Sequence, residues 1–89
     1  RLFSPFPNPF NGRLTINFDV DFALSAKISI YSINGIKVFS KEISNADKNK
    51  GRIYWEPKNN FDENLSSGIY IVELSSEVFS ASSKIMFIK

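Results

Sequence analysis

Residues 14–22 read Leu-Thr-Ile-Asn-Phe-Asp-Val-Asp-Phe, nine positions of unbroken apolar–polar alternation. A helix repeats about every 3.6 residues, so strict alternation would scatter its apolar side chains around the whole surface. A strand sorts the same residues onto two faces. Leu14, Ile16, Phe18, Val20 and Phe22 form a dry face, and Thr15, Asn17, Asp19 and Asp21 a wet one. The stretch predicts a half-buried strand, in a sheet whose dry face must be covered by a second layer.

The rest of the chain supplies that layer. Strand-like runs follow at 27–32, 36–43, 52–55, 69–74 and 78–89, separated by Gly, Asn, Ser and Pro clusters. With the short Leu2-Phe3-Ser4 start, this makes about seven strands and no segment of helical period. The pattern predicts an all-β, Ig-like antiparallel sandwich. At 89 residues, with 43% apolar and 15% aromatic side chains, a single domain over 1–89 with one core is expected. The run 56–68 is the one long connection, with Phe61 and Leu65 as expected anchors into the core.

Residues 4–12, Ser-Pro-Phe-Pro-Asn-Pro-Phe-Asn-Gly, cannot form a regular strand. Pro5, Pro7 and Pro9 remove three amide donors and fix φ. An extended, polyproline-like course is expected, with Phe6 and Phe10 dropping rings onto the sandwich and Asn11-Gly12 turning the chain. In Ser-Ile-Asn-Gly-Ile-Lys-Val, a three-residue loop of Ile33, Asn34 and Gly35 pairs Ile30 with Val38 and Ile28 with Ser40. That register keeps Ile28, Ile30, Ile36 and Val38 on one face, with Gly35 left-handed in a bulge.

Chemistry is sparse. The chain has no His and no Cys, which removes the usual nucleophile–base pairs and the common zinc sites. Asp19 and Asp21 stand roughly 6.5–7 Å apart by strand rise, a separation open to a glycosidase-like pair, but they also read as ordinary wet-face residues. Glu56, Asn59, Asn60, Asp62, Glu63 and Asn64 offer oxygen ligands for calcium without the spacing of a calcium loop. Asn64-Leu65-Ser66 is a glycosylation tripeptide that is common by chance. No enzyme activity, cofactor or metal is expected. Lys48, Lys50 and Arg52 are the densest basic stretch and read as a solvated loop; a net charge of +2 gives no nucleic-acid footprint. No apolar run approaches the ~20 residues of a spanning helix. The chain opens at Arg1 without Met or signal peptide and is read as a piece of a longer protein. Tyr54 and Trp55 are adjacent on a strand, so one faces in and the other out, where it could stack on a sugar.

Taken in order, Pro-Asn-Pro-Phe at 7–10, the 28–40 hairpin, Ile-Tyr-Trp at 53–55, Ser-Ser-Gly-Ile-Tyr at 66–70 and the closing Ser-Ser-Lys-Ile-Met-Phe-Ile-Lys resemble a known family. This is the type A C-terminal sorting domain of the type IX (Por) secretion system, which is similar to the Ig-like domain of the flagellar hook-capping protein. Pro7, Asn8, Pro9 and Phe10 match its opening motif. Gly35, Lys37 and Val38 match its hairpin, Trp55 the aromatic before the long loop, and Gly68 and Tyr70 the start of the next strand. Lys84 and Lys89 match the closing strand. Pro57 departs from the family, which often has glycine there. The resemblance implies a targeting tag on a secreted cargo, recognised by an outer-membrane translocon and handled by a sortase-like surface protease. It implies a secreted or cell-surface protein that crosses the periplasm of a Gram-negative bacterium. A non-targeting Ig-like spacer or assembly module, or a carbohydrate-binding module using Tyr54 or Trp55, are the other readings. If the closing strand is the part presented, Ile85 and Phe87 face one way and Met86 and Ile88 the other.

Overall fold

The computed structural model describes residues 1–20 and 25–89. Among them are six strands and one short helix: β1 (Leu14–Asn17), β2 (Ala26–Ser32), β3 (Lys37–Glu42), α1 (Asn45–Lys50), β4 (Arg52–Trp55), β5 (Gly68–Ser76) and β6 (Ser80–Phe87). β1 pairs with β4, and the other four form a sheet in the order β3-β2-β5-β6. All of these ladders are antiparallel. The apolar faces of the two sheets close on one core that includes Leu14, Ile16, Ile28, Ile30, Ile53, Val72, Leu74 and Ile85. This is the all-β antiparallel sandwich expected from the alternation.

The alternation held for burial and failed for strand length. Leu14, Ile16, Phe18 and Val20 are all buried. The ladder to β4 nevertheless spans only Leu14–Asn17, because at Gly51 the partner leaves strand geometry for the left-handed cap of α1. Beyond it, the Phe18 amide donates to the Gly51 carbonyl at 2.9 Å, and Leu2 bridges to Phe18. Asp21 and Phe22, and with them the expected Asp19–Asp21 pair, lie outside the described residues. The expected first strand at Leu2–Ser4 is reduced to this isolated bridge and a second one between Phe6 and Thr15. Proline at every other position from 5 denies it a continuous ladder.

A helix appears where a solvated loop was expected. α1 is short, with no buried residue, so no apolar period announced it. Its ends hold it. The Ser44 hydroxyl accepts from the Asp47 amide and the Asp47 carboxylate accepts from the Ser44 amide, a reciprocal cap. Gly51 closes the other end in the left-handed region at φ 72°. Lys48 and Lys50 thus sit in a last helical turn, where positive charge is favourable.

The hairpin is half as expected. The Gly35 amide donates to Ser32 and the Ser32 amide to Ile36, which makes the three-residue loop, and Gly35 has φ 86°. The register then slips. Tyr31 faces Lys37, but Ile30 faces Phe39 and Ile28 faces Lys41, so the expected Ile30–Val38 and Ile28–Ser40 pairs do not form. Val38 is the extra residue of a bulge. The slip turns the larger Phe39 ring inward, 5.9 Å from Trp55, and leaves Ile36 63% exposed. Phe39, half-buried, packs on the core beside Trp55, and that ring contact is the physical gain of the slipped register.

Leu65 anchors the long loop as expected, packed against the core, whereas Phe61 is 85% exposed. The Asn59 side chain draws the tip into a tight turn by accepting from the Phe61 and Glu63 amides, which carries the Phe61 ring outward.

Gly35→Ala places a Cβ on a positive φ and should cost about 1 kcal/mol or more, read as a lower midpoint in urea. Burial works to raise the Asp47 carboxyl, but the Ser44 hydrogen bonds and the Lys41 ammonium outweigh it and hold it below the usual carboxylate range. Its stabilising share is therefore present above the ordinary carboxyl pKa and is lost as pH falls through the lowered value. Asp47→Asn should be destabilised by about 0.3–1 kcal/mol at neutral pH, with the gap to the native chain closing in acid urea melts.

Candidate functional site

The opening segment joins the two sheets. At Phe6 it is paired with β1: the Phe6 and Thr15 amides donate to each other's carbonyls at 3.1 and 2.8 Å. Four residues later it runs parallel to β6. The Phe10 amide donates to the Met86 carbonyl and the Ile88 amide to the Phe10 carbonyl, both at 2.9 Å. Between these points the chain bends at residues 7–9, in place of the polyproline-like course expected for 4–12, and the Phe6-Pro7 and Asn8-Pro9 peptides are cis. Phe6 also departs from expectation, with its ring 52% exposed, while Phe10 is buried as predicted. Pro7 and Pro9 suit the crossing because neither brings an amide that needs a partner there.

Phe10 sits among aromatic rings. Its centroid lies 5.2 Å from Phe87 and 6.0 Å from Trp55. Trp55 is the inward member of its pair, only 3% exposed, with its indole Nε1 donating to the Lys58 carbonyl at 3.1 Å. Tyr54 faces out. The Arg13 guanidinium lies 4.4 Å from its ring centroid, and Arg52 Nε donates to its hydroxyl. One ring face is thus already occupied, which counts against a sugar-stacking platform there.

Register places the remaining motif residues at one end of the four-stranded sheet. Ser32 faces Tyr70, Tyr70 faces Ile85, and Gly68 faces Phe87. The Gly35–Lys37 hairpin, the start of β5 and the end of β6 therefore share that end, with Pro7–Phe10 laid along the margin. The Tyr70 hydroxyl donates to the Ser66 carbonyl at 2.7 Å, and burial pushes that phenol up. Lys37 lies 5.9 Å from the Tyr31 ring. The Lys89 amide donates to the Ser67 hydroxyl. The side chains of Pro7, Asn8, Pro9, Lys37, Lys84 and Lys89 are exposed, as are Met86 and Ile88. The closing strand is accordingly buried through Ile85 and Phe87 and presented through its other face.

Two asparagines matter more than their residue type announced. Asn8 Oδ1 accepts from the Met86 amide at 2.9 Å and its Nδ2 donates to the Lys84 carbonyl at 3.3 Å. On the opposite edge, Asn60 Oδ1 accepts from the Ser40 amide and its Nδ2 donates to the Ser40 carbonyl, at 2.8 and 3.0 Å. Asn8 belongs to a motif that the sequence singled out; nothing in the sequence marked Asn60 for this role. Of the would-be calcium ligands, Asn60 is thus held on β3, and Asn59, Asp62 and Glu63 are engaged within the loop. Asn59 Nδ2 donates to Glu63, and Asp62 pairs with Lys58 at 3.5 Å. Among the described residues no three His, Cys, Asp or Glu side chains gather as a metal site, and no helix is long and apolar enough to cross a membrane.

A family model described as the secretion system C-terminal sorting domain matches residues 4–89. The chain belongs to that family. It is a sorting signal of type IX (Por) secretion cargo, and the protein that carries it is secreted or held at the cell surface. Part of a solved structure is similar: PorZ, described as an essential bacterial surface component of the type-IX secretion system of the human oral-microbiomic Porphyromonas gingivalis. The similarity covers 99% of this chain at 17% identity and a TM-score of 0.69, and the chain spans 11% of the length of PorZ. At that identity the likeness is one of fold. No curated protein matches the sorting domain.

Phe10 is the ring that links β6 to Trp55. Phe10→Ala should cost about 3–5 kcal/mol, measured by denaturant melts that follow Trp55 fluorescence.

Proposed function

We propose that the outer-membrane translocon of the type IX system reads this domain at the end of the sandwich where the family-motif residues meet. The observation that carries the reading is their convergence. Pro7, Asn8 and Pro9 from one part of the chain and Lys84 and Lys89 from another lie along one strand margin, exposed, beside Met86 and Ile88. Cations and apolar side chains standing together on a rigid strand suit a protein partner that recognises a folded shape. Lys84 and Lys89 are the polar determinants, and Gly35, Gly68, Tyr70 and Trp55 hold the shape that presents them.

In this reading the domain is a tag and not an enzyme, and it works without a cofactor. It follows its cargo across the periplasm of a Gram-negative bacterium. After translocation a sortase-like surface protease removes it and joins the cargo to surface lipopolysaccharide.

The test is a fusion of residues 1–89 to a periplasmic reporter in a bacterium with this system. The reporter should reach the surface or the medium, and Lys84→Ala with Lys89→Ala should hold it in the periplasm without lowering the melting temperature. A native fusion that stays periplasmic, while another sorting domain exports the same reporter, overturns the reading.

A further inference from the structure

An edge strand offers unpaired amides and carbonyls to any passing strand. β6 is such an edge, yet its last part is closed. Met86 and Ile88 turn their backbone groups outward, as their bonds to Phe10 establish, and by the two-residue period of a strand Lys84 does the same. Lys84 carbonyl, Met86 amide, Met86 carbonyl and Ile88 amide are four consecutive outward groups. All four are bonded, the first two by the Asn8 side chain and the last two by the Phe10 backbone. A carboxamide has the planar donor–acceptor pair of a peptide group. Asn8 therefore stands where a neighbouring strand would otherwise supply a residue, one step along from Phe10. Ser80 and Ser82, further back on β6, have no such cover from the opening segment.

We propose that Asn8 is a positioning residue for sorting, and this rests on the reading that the Lys84–Lys89 end is recognised. Its amide closes the β6 edge over Lys84 and Met86. The strand is then fixed in place and meets the secretion machinery through its side chains, not as an open edge that another strand could extend. The bond also ties the opening motif to the closing strand, across 76 and 78 residues of sequence. An alanine at this position frees the Lys84 carbonyl and the Met86 amide without removing core volume, since the Asn8 side chain is exposed.

Asn60 provides the control. It makes an equivalent two-bond clamp on β3, at the far edge of the same sheet. Asn8→Ala and Asn60→Ala are compared in the reporter fusion, with melting temperature and amide exchange measured on the 89-residue chain. Asn8→Ala should lose most export and expose the Met86 amide to exchange. Asn60→Ala should export normally at a similar melting temperature. Asn8→Asp keeps the acceptor for Met86 but sets a carboxylate against the Lys84 carbonyl, and should export at an intermediate level; it decides the matter if the alanine variant fails to fold. Equal export loss in Asn8→Ala and Asn60→Ala would reduce Asn8 to a stability role and overturn the proposal. So would normal export from Asn8→Ala with an unprotected Met86 amide. If instead the Lys84/Lys89 double variant exports normally while Asn8→Ala does not, it is the recognition reading that fails.

Discussion

The sandwich depends on how its opening segment is pinned. One sheet is only two strands wide, and the other ends in β6, whose outer edge faces no further strand of the sheet. Residues 6–10 leave the first and join the second, so a few residues bridge the layers from outside while the Phe10 ring fills the space between them. Phe87 and Trp55 lie in different sheets, and Phe10 touches both. Removing that ring would open the core and loosen the strand that carries the closing lysine at once. A small domain with no cysteine has few other ways to tie its layers together.

Edge control is the second theme. The four-stranded sheet ends in β3 on one side and β6 on the other, and each is closed at a key point by an asparagine amide instead of a full strand. This protects against unwanted pairing while leaving the outward side chains of β6, such as Lys84 and Met86, in solvent. For a module that travels attached to other domains and is read by a partner, an edge that cannot be extended but can still be recognised is a useful compromise. The cost is small, since each clamp needs one residue and a loop to carry it.

Much of the fold was legible in the residue pattern because burial follows strand period. Leu14, Ile16, Phe18 and Val20, and later Ile85 and Phe87, point where alternation places them. The same rule sets Tyr54 and Trp55 on opposite faces, and the structure decides that Trp55 is the inward one. Where the reading went astray, the deciding force lay outside the pattern. Val38 is a bulge, and the slipped register sets Phe39 against Trp55, a contact between separate segments that no local spacing specifies. α1 is held by capping and not by periodicity, and its local signals are the Ser44–Asp47 spacing and Gly51. Phe61 was placed in the core on hydrophobicity alone, and a turn built by Asn59 carried it out.

The sequence by itself determined the class of fold, the faces of its strands, the left-handed glycine of the hairpin and the family to which the chain belongs. Each rests on side-chain type and spacing within a short window. Only the tertiary structure decided that residues 8–10 lie along residues 84–88 and that two asparagines serve as strand neighbours. The first contact spans more than 70 residues of sequence and the Asn60 clamp 20, and every one of these bonds ends on a backbone group. Every residue carries the same amide and carbonyl whatever its side chain, so the pattern of side chains could not say which of them would meet.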